Sequence, residues 1–223
     1  MRHFFSRFGT RPAGALRKTG FTTVELAVVL AIVGIIVALA APLTTGWSER
    51  QRLRDSARTV ANAFSYARGE AIRTGNIHAV YFLNDADGNA LASPLVVLDD
   101  GAPGTASQNC DIDPGEPIVQ FFLDQGVNPG VTQATAKVPT DPGPGGLGAS
   151  TFEDAGGNPA TWVLFRPEGT PLAFSSDCTT GAVGTGGGAI YLSNGDRDVA
   201  VVVTPLGSTR VHSHGRGAGS WSE

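Results

Sequence analysis

From Leu26 to Ser48 the chain runs 23 residues without a charged side chain, and LAVVLAIVGIIVALAAPL within it is almost purely aliphatic. About 20 apolar residues reach across a bilayer, so a run of this length reads as a transmembrane helix. The flanks carry opposite charge. Arg2, Arg7, Arg11, Arg17 and Lys18 precede the run with no acid among them, which leaves 11 cations against 20 acids, a charge of −9, for residues 21–223. Cations ahead of an apolar segment orient the N-terminus toward the cytoplasm. The expectation is a single-pass protein whose larger part is exported.

Composition removes several alternatives. With 41% hydrophobic and 16% charged residues, the 223-residue chain is too apolar for a disordered segment and long enough for one globular domain plus an appendage. Its 30 glycines and 14 prolines show no Gly-x-y period, which excludes collagen and argues for many turns rather than a helical bundle. Two cysteines are too few for a four-thiolate zinc site or a disulfide framework. The acidic balance argues against nucleic acid as a general partner.

Glu25 stands just inside the apolar segment, in Thr19-Gly20-Phe21-Thr22-Thr23-Val24-Glu25-Leu26. An unpaired carboxylate there is costly, so it calls for a specific cation. Cleavage after Gly20 would supply one, the new amine of Phe21, about one helical turn away. Ala38-Leu39-Ala40 also offers a small-x-small site of the kind that ends a removable secretory signal.

With its basic leader, Gly20, aromatic Phe21, Glu25 and hydrophobic helix, the chain resembles the type IV pilin and type II secretion pseudopilin superfamily. The resemblance implies cleavage between Gly20 and Phe21 by a prepilin peptidase and N-methylation of Phe21. It also implies alignment of subunits through Glu25 and filament assembly by an ATP-driven inner-membrane platform. It makes the protein a bacterial inner-membrane one, single-pass, with a cytoplasmic N-terminus before cleavage and a periplasmic globular domain.

Past the apolar run, Pro42 removes one backbone hydrogen bond and is expected to kink the helix. Leu53, Ala57, Val60, Ala61, Phe64, Ala67, Ala71 and Ile72 then follow helical spacing with arginines crowding the other faces, and Gly75-Asn76 is a stop signal. Beyond Asn76 the period falls to two, predicting strands at 77–83, 94–99, 117–123, 131–138, 161–166, 189–193 and 198–203. Asp87-Gly88 and Asn194-Gly195 mark tight turns, while 140–148 and 181–188 read as mobile surface loops. The expected fold is therefore α+β, a long transmembrane and amphipathic helix packed on an antiparallel sheet. Its segments are a cleaved leader at 1–20, a membrane helix at 21–47, an amphipathic helix at 48–76, a β-rich domain at 77–213 and a flexible tail at 214–223.

A narrower resemblance rests on Arg68-Gly69-Glu70-Ala71-Ile72-Arg73, Trp162 to Gly169, and Val199 to Val203 followed by Thr204 to Val211. These segments are similar to the GspH/FimT family of minor pseudopilins and minor pilins. That implies a minor pseudopilin of a type II protein secretion system, at the tip or initiation complex of the pseudopilus, with other pseudopilins, the prepilin peptidase and the assembly platform as partners. A minor type IV pilin in pilus priming or DNA uptake is the alternative. For the latter, Arg210 and Arg216 are the only cations after Arg197, few for phosphate contacts.

The remaining constellations are weak. Cys110 and Cys178 form a candidate disulfide in an exported chain. Ser175-Ser176-Asp177 with His78 supplies triad residue types without a nucleophile elbow, so no enzyme is expected. His212 and His214 lack a third ligand, and Asp85, Asp87 and Asn89 have their glycine out of place for a calcium loop, which favours a turn. No cofactor or metal is expected.

Overall fold

The computed structural model describes Gly20, residues 22–101 and residues 108–223, with the side chains of residues 39–46 outside the description. The chain divides into two compact units, Met1–Thr45 and Gly46–Glu223. Helix α1 (Thr23–Thr74) carries residues of both.

In the first unit the helix begins at a hydrogen-bonded cap. The Thr22 carbonyl accepts the first intrahelical bond from Leu26 N–H at 3.1 Å, and the Thr22 hydroxyl accepts the Glu25 N–H at 3.2 Å. Thr22 is thus the N-cap and Glu25 the third helical residue, in the Thr-x-x-Glu pattern of a capping box. The carboxylate also stands where the helix dipole favours an anion.

The transmembrane part of the expected fold class is corrected: among the described residues, no helix is long and apolar enough to cross a membrane. The expectations of a transmembrane helix, a single-pass inner-membrane location and a periplasmic domain placed by it are corrected with it. Nor is there one long helix lying on one sheet. The helix enters a core with strands only in the Gly46–Glu223 unit, and those strands form three sheets. Pro42 lies in the stretch whose side chains are not described.

In the second unit, Leu53, Ala57, Val60, Ala63, Phe64, Ala67 and Ala71 form one buried helical stripe. Gly75 ends the helix at φ 76°, donating its N–H to the Ala71 carbonyl at 3.0 Å in a left-handed cap. The strands are β1 (Ile77–Asn84), β2 (Ala90–Asp100), β3 (Ile118–Phe121), β4 (Asn128–Pro129), β5 (Phe152–Glu153), β6 (Pro159–Ala160), β7 (Trp162–Phe165), β8 (Pro171–Leu172), β9 (Gly188–Ser193), β10 (Arg197–Val203) and β11 (Thr209–Gly215). They make a five-stranded sheet β3-β2-β1-β7-β8, a four-stranded sheet β11-β10-β9-β4 and the pair β5-β6. All recorded pairings are antiparallel.

The helix stripe meets the inner faces of both larger sheets. Phe64 lies between Phe152 and Phe165, at ring-centroid distances of 6.0 and 6.5 Å, while Val80, Val97, Ile190 and Val201 complete the contact. The outer faces are covered too. Ala79, Tyr81, Leu98, Leu164 and Phe174 form a second apolar cluster with Cys110 on the first sheet, and Ala189, Tyr191, Ala200 and Val202 form a third with Val138 on the second. Burial on both faces explains the unbroken apolar run of β10, since alternation is expected only where one face meets water.

Residues 131–138, expected as a strand, are instead a loop over this outer face. The cause is a single carboxylate. Fully buried Asp198 accepts the backbone N–H groups of Thr132 (3.0 Å), Gln133 (2.7 Å) and Ala134 (2.7 Å) together with the Thr132 hydroxyl (3.1 Å), so these donors are not free for a sheet ladder. The loop at 140–148 is pinned as well: Lys137 Nζ donates to the carbonyls of Gly143 and Gly145 at 2.7 and 2.9 Å. A Cβ at Gly143 would come within 2.3 Å of the Thr151 hydroxyl, so only glycine fits there. Residues 214–223, read from sequence as a flexible tail, return to the sheet. Ser213 and Ser222 exchange backbone hydrogen bonds at 2.7 and 2.9 Å, and the Trp221 indole packs on Tyr191 and His214 while donating to the Ala136 carbonyl at 2.9 Å.

Candidate functional site

Two regions concentrate features that packing alone does not require. The first is the N-terminal helix. Gly20 is exposed, Phe21 lies outside the described residues, and Glu25 is exposed. Behind them Val24, Leu26, Val28, Val29, Leu30, Ile32, Val33, Ile35, Ile36 and Val37 are each between 47% and 71% exposed. Apolar side chains on every face of one helix, all uncovered, mark an interaction surface.

The second region surrounds Cys110 and Cys178, which are joined by a disulfide with Cα atoms 5.2 Å apart. Fully buried Asp100 accepts the Cys110 N–H at 2.8 Å, and the Tyr81 hydroxyl donates to the Cys110 carbonyl. Glu116 accepts the Asp113 N–H at 3.0 Å. Burial raises the carboxyl groups of Asp100, Asp111 and Glu116 above the ordinary range, and neighbouring carboxylates add to the shift. Burial likewise pushes the Tyr81 hydroxyl up.

Arg210 and Arg216 are both exposed, and each faces an acid: Arg210 lies 3.3 Å from Glu223 and Arg216 lies 3.5 Å from Asp196. Arg216 shares a cleft of about 240 Å³ with Glu49, Arg50, Asn194, Asp196 and Arg197, in which two carboxylates offset three guanidinium groups. His78 is buried with its Nε2 3.8 Å from Asp99, whereas Asp177 is spent on the Thr179 N–H at 3.1 Å. His212 lies 3.1 Å from the Thr140 hydroxyl, and burial lowers its pKa; His214 stacks on Trp221. The Asp85 carboxylate accepts Asp87 N–H at 3.1 Å, Asn89 N–H at 2.8 Å and the Asn89 side-chain amide at 3.0 Å, all within one hairpin turn. Asp154 repeats those bonds with Gly156 and Asn158, so Asp-Ala-x-Gly-Asn occurs twice as the same turn.

Sequence reasoning assigned no structural role to the half-buried Arg68 guanidinium or to the buried Asp100 carboxylate. Arg68 donates to the Gly207 carbonyl at 3.2 Å, and a Cβ at Gly169 would come within 3.2 Å of its Nε, so the helix and the Gly169 and Gly207 turns converge there. Asp100 was visible only as one of two adjacent acids at a strand end. The fold and site thus define a module in which a helix packs against two antiparallel sheets, with one disulfide joining two loops over the outer face of the first, preceded by an exposed apolar helical stretch. No family model, curated protein or solved structure matches this chain.

Proposed function

We propose that this chain is a structural subunit of a pilin-like filament, a minor pseudopilin of a type II protein secretion system, with a minor type IV pilin as the alternative assignment. The observation that carries the reading is the exposed apolar helix that starts at a Thr22 cap, directly after the Gly20-Phe21 junction, with Glu25 in its first turn. Burying a single aliphatic side chain of this size contributes about 1.5–3 kcal/mol, so like helices bundled side by side would release a large driving force for assembly. Glu25, set among apolar residues, would favour the register in which it meets the Phe21 amine of a neighbour. The role is structural rather than catalytic.

The reading predicts processing first. Mass spectrometry of protein produced with its prepilin peptidase should find a mature chain beginning at Phe21. A chain beginning at Ala41, or one still starting at Met1, would defeat the assignment.

It also separates the two roles of Glu25. Glutamine satisfies a capping box as glutamate does, so Glu25→Gln should keep the helix while removing the charge. Cross-linking to neighbouring subunits is expected to fall at least about tenfold, the equivalent of about 1.4 kcal/mol, with unchanged helical circular dichroism. Undiminished cross-linking would show that the carboxylate does not align subunits.

A further inference from the structure

One oxygen of Asp100 and the two sulfurs of Cys110 and Cys178 lie within 4.8 Å of one another. Asp100 has no exposed surface; its Oδ2 accepts the Cys110 N–H, and its Oδ1 has no hydrogen-bond partner among the described residues. None of the ion pairs among the described residues involves it. Its charged neighbours, Asp99 and Asp113, are acidic. A buried carboxylate with an idle oxygen in such company favours a cation. The adjoining sulfurs decide which cation, because two thiolates and one carboxylate select a borderline-soft ion over calcium or magnesium.

We propose that, once the disulfide is reduced, Cys110, Cys178 and Asp100 bind one Zn²⁺ ion, with water as the fourth ligand. A small dithiol supplies two electrons and two protons to the S–S bond, becoming a disulfide as two cysteine thiols form. Zn²⁺ then displaces both thiol protons to solvent. Sulfur and oxygen ligands at about 2.0–2.3 Å from a tetrahedral ion stand roughly 3.5 Å apart, so the two sulfurs must separate once their bond is reduced, while the Asp100 oxygen already lies within 4.8 Å of both. Cys178 is partly exposed and gives the reductant and the ion an entry, whereas Cys110 is buried. Both cysteines sit in the left-handed region, at φ 60° and 62°, which disfavours L side chains, and reduction frees them to relax. The ion and the S–S bond would then be alternative clasps joining residues 109–113 to the 175–179 turn.

The test uses the full-length chain reduced with a phosphine and titrated anaerobically with Co²⁺, whose thiolate charge-transfer and tetrahedral d–d bands report the ligands. One Co²⁺ per chain is expected, displaced by Zn²⁺, with no band from the oxidised chain. Asp100→Asn keeps an acceptor for the Cys110 N–H and should weaken Co²⁺ binding at least about tenfold, and Cys178→Ser should abolish the charge-transfer band. Absence of the band in the reduced wild-type chain, or equal affinity in Asp100→Asn, would overturn the proposal. If reduction alone unfolds the chain, recovery of its near-UV circular dichroism on adding Zn²⁺ supports the site, and failure to recover refutes it.

Discussion

Asp198→Ala is expected to destabilise the Gly46–Glu223 unit by about 4 kcal/mol, read as a lower midpoint in urea or thermal unfolding. The carboxylate is buried and satisfies three backbone N–H groups and one hydroxyl. Hydrogen bonds to a charged group contribute about 1.5–3 kcal/mol each, and stranded buried donors cost about 1–3 kcal/mol, so partial hydration of the loop still leaves a large loss. The same group predicts a pH dependence. Burial alone would raise its pKa, but the N–H donors of Ala134, Thr132 and Gln133, with the Ser193 hydroxyl, outweigh burial and hold it below the ordinary value. The stability this contributes is therefore present above the unfolded-state pKa, near 3.9, and is lost as pH falls through the lower folded value. Asp198→Asn should remove that acid sensitivity, and an unchanged stability profile below about pH 4 would disprove the assignment.

Phe64→Ala is expected to cost about 4 kcal/mol by the measure of large-to-small core substitutions. Phe64 is 1% exposed and touches aromatic rings on both sides, so no single neighbour can collapse into the space it leaves. Ile72, on the same helix but 55% exposed, is the control, and Ile72→Ala should change stability by less than about 1 kcal/mol. Equal effects at the two positions would mean that the helix does not key into the sheets through Phe64.

The helix stripe around Phe64 was legible because apolar spacing of 3.6 residues is a local pattern, and its members differ from the expected set only at the margins. Ala63 joins it, Ala61 is only partly buried against it, and Ile72 leaves it. Six of the seven expected strands coincide with observed ones for a similar reason, with Asp87-Gly88 and Asn194-Gly195 turning where anticipated. The missed elements share one property: each depends on a distant partner. Val131 to Val138 has strand-like composition, yet its donors go to an acid 64 to 66 positions away. Trp221 looks like the end of a polar tail until its indole reaches the Ala136 carbonyl, 85 positions back.

The sequence by itself determined the local elements: the end of the helix at Gly75, the hairpin turns, the apolar faces and the uncharged stretch after Glu25. These follow from backbone sterics, capping and periodicity among residues a few positions apart. Only the tertiary structure decided that Cys110 and Cys178 stand within bonding distance beside Asp100, that Pro- and Gly-rich loops cover the outer faces of both larger sheets, and that the strands divide into separate sheets. Those outcomes depend on which buried polar group finds which donor across tens of residues, and a one-dimensional pattern does not encode a pairing whose energy exists only once water has been excluded.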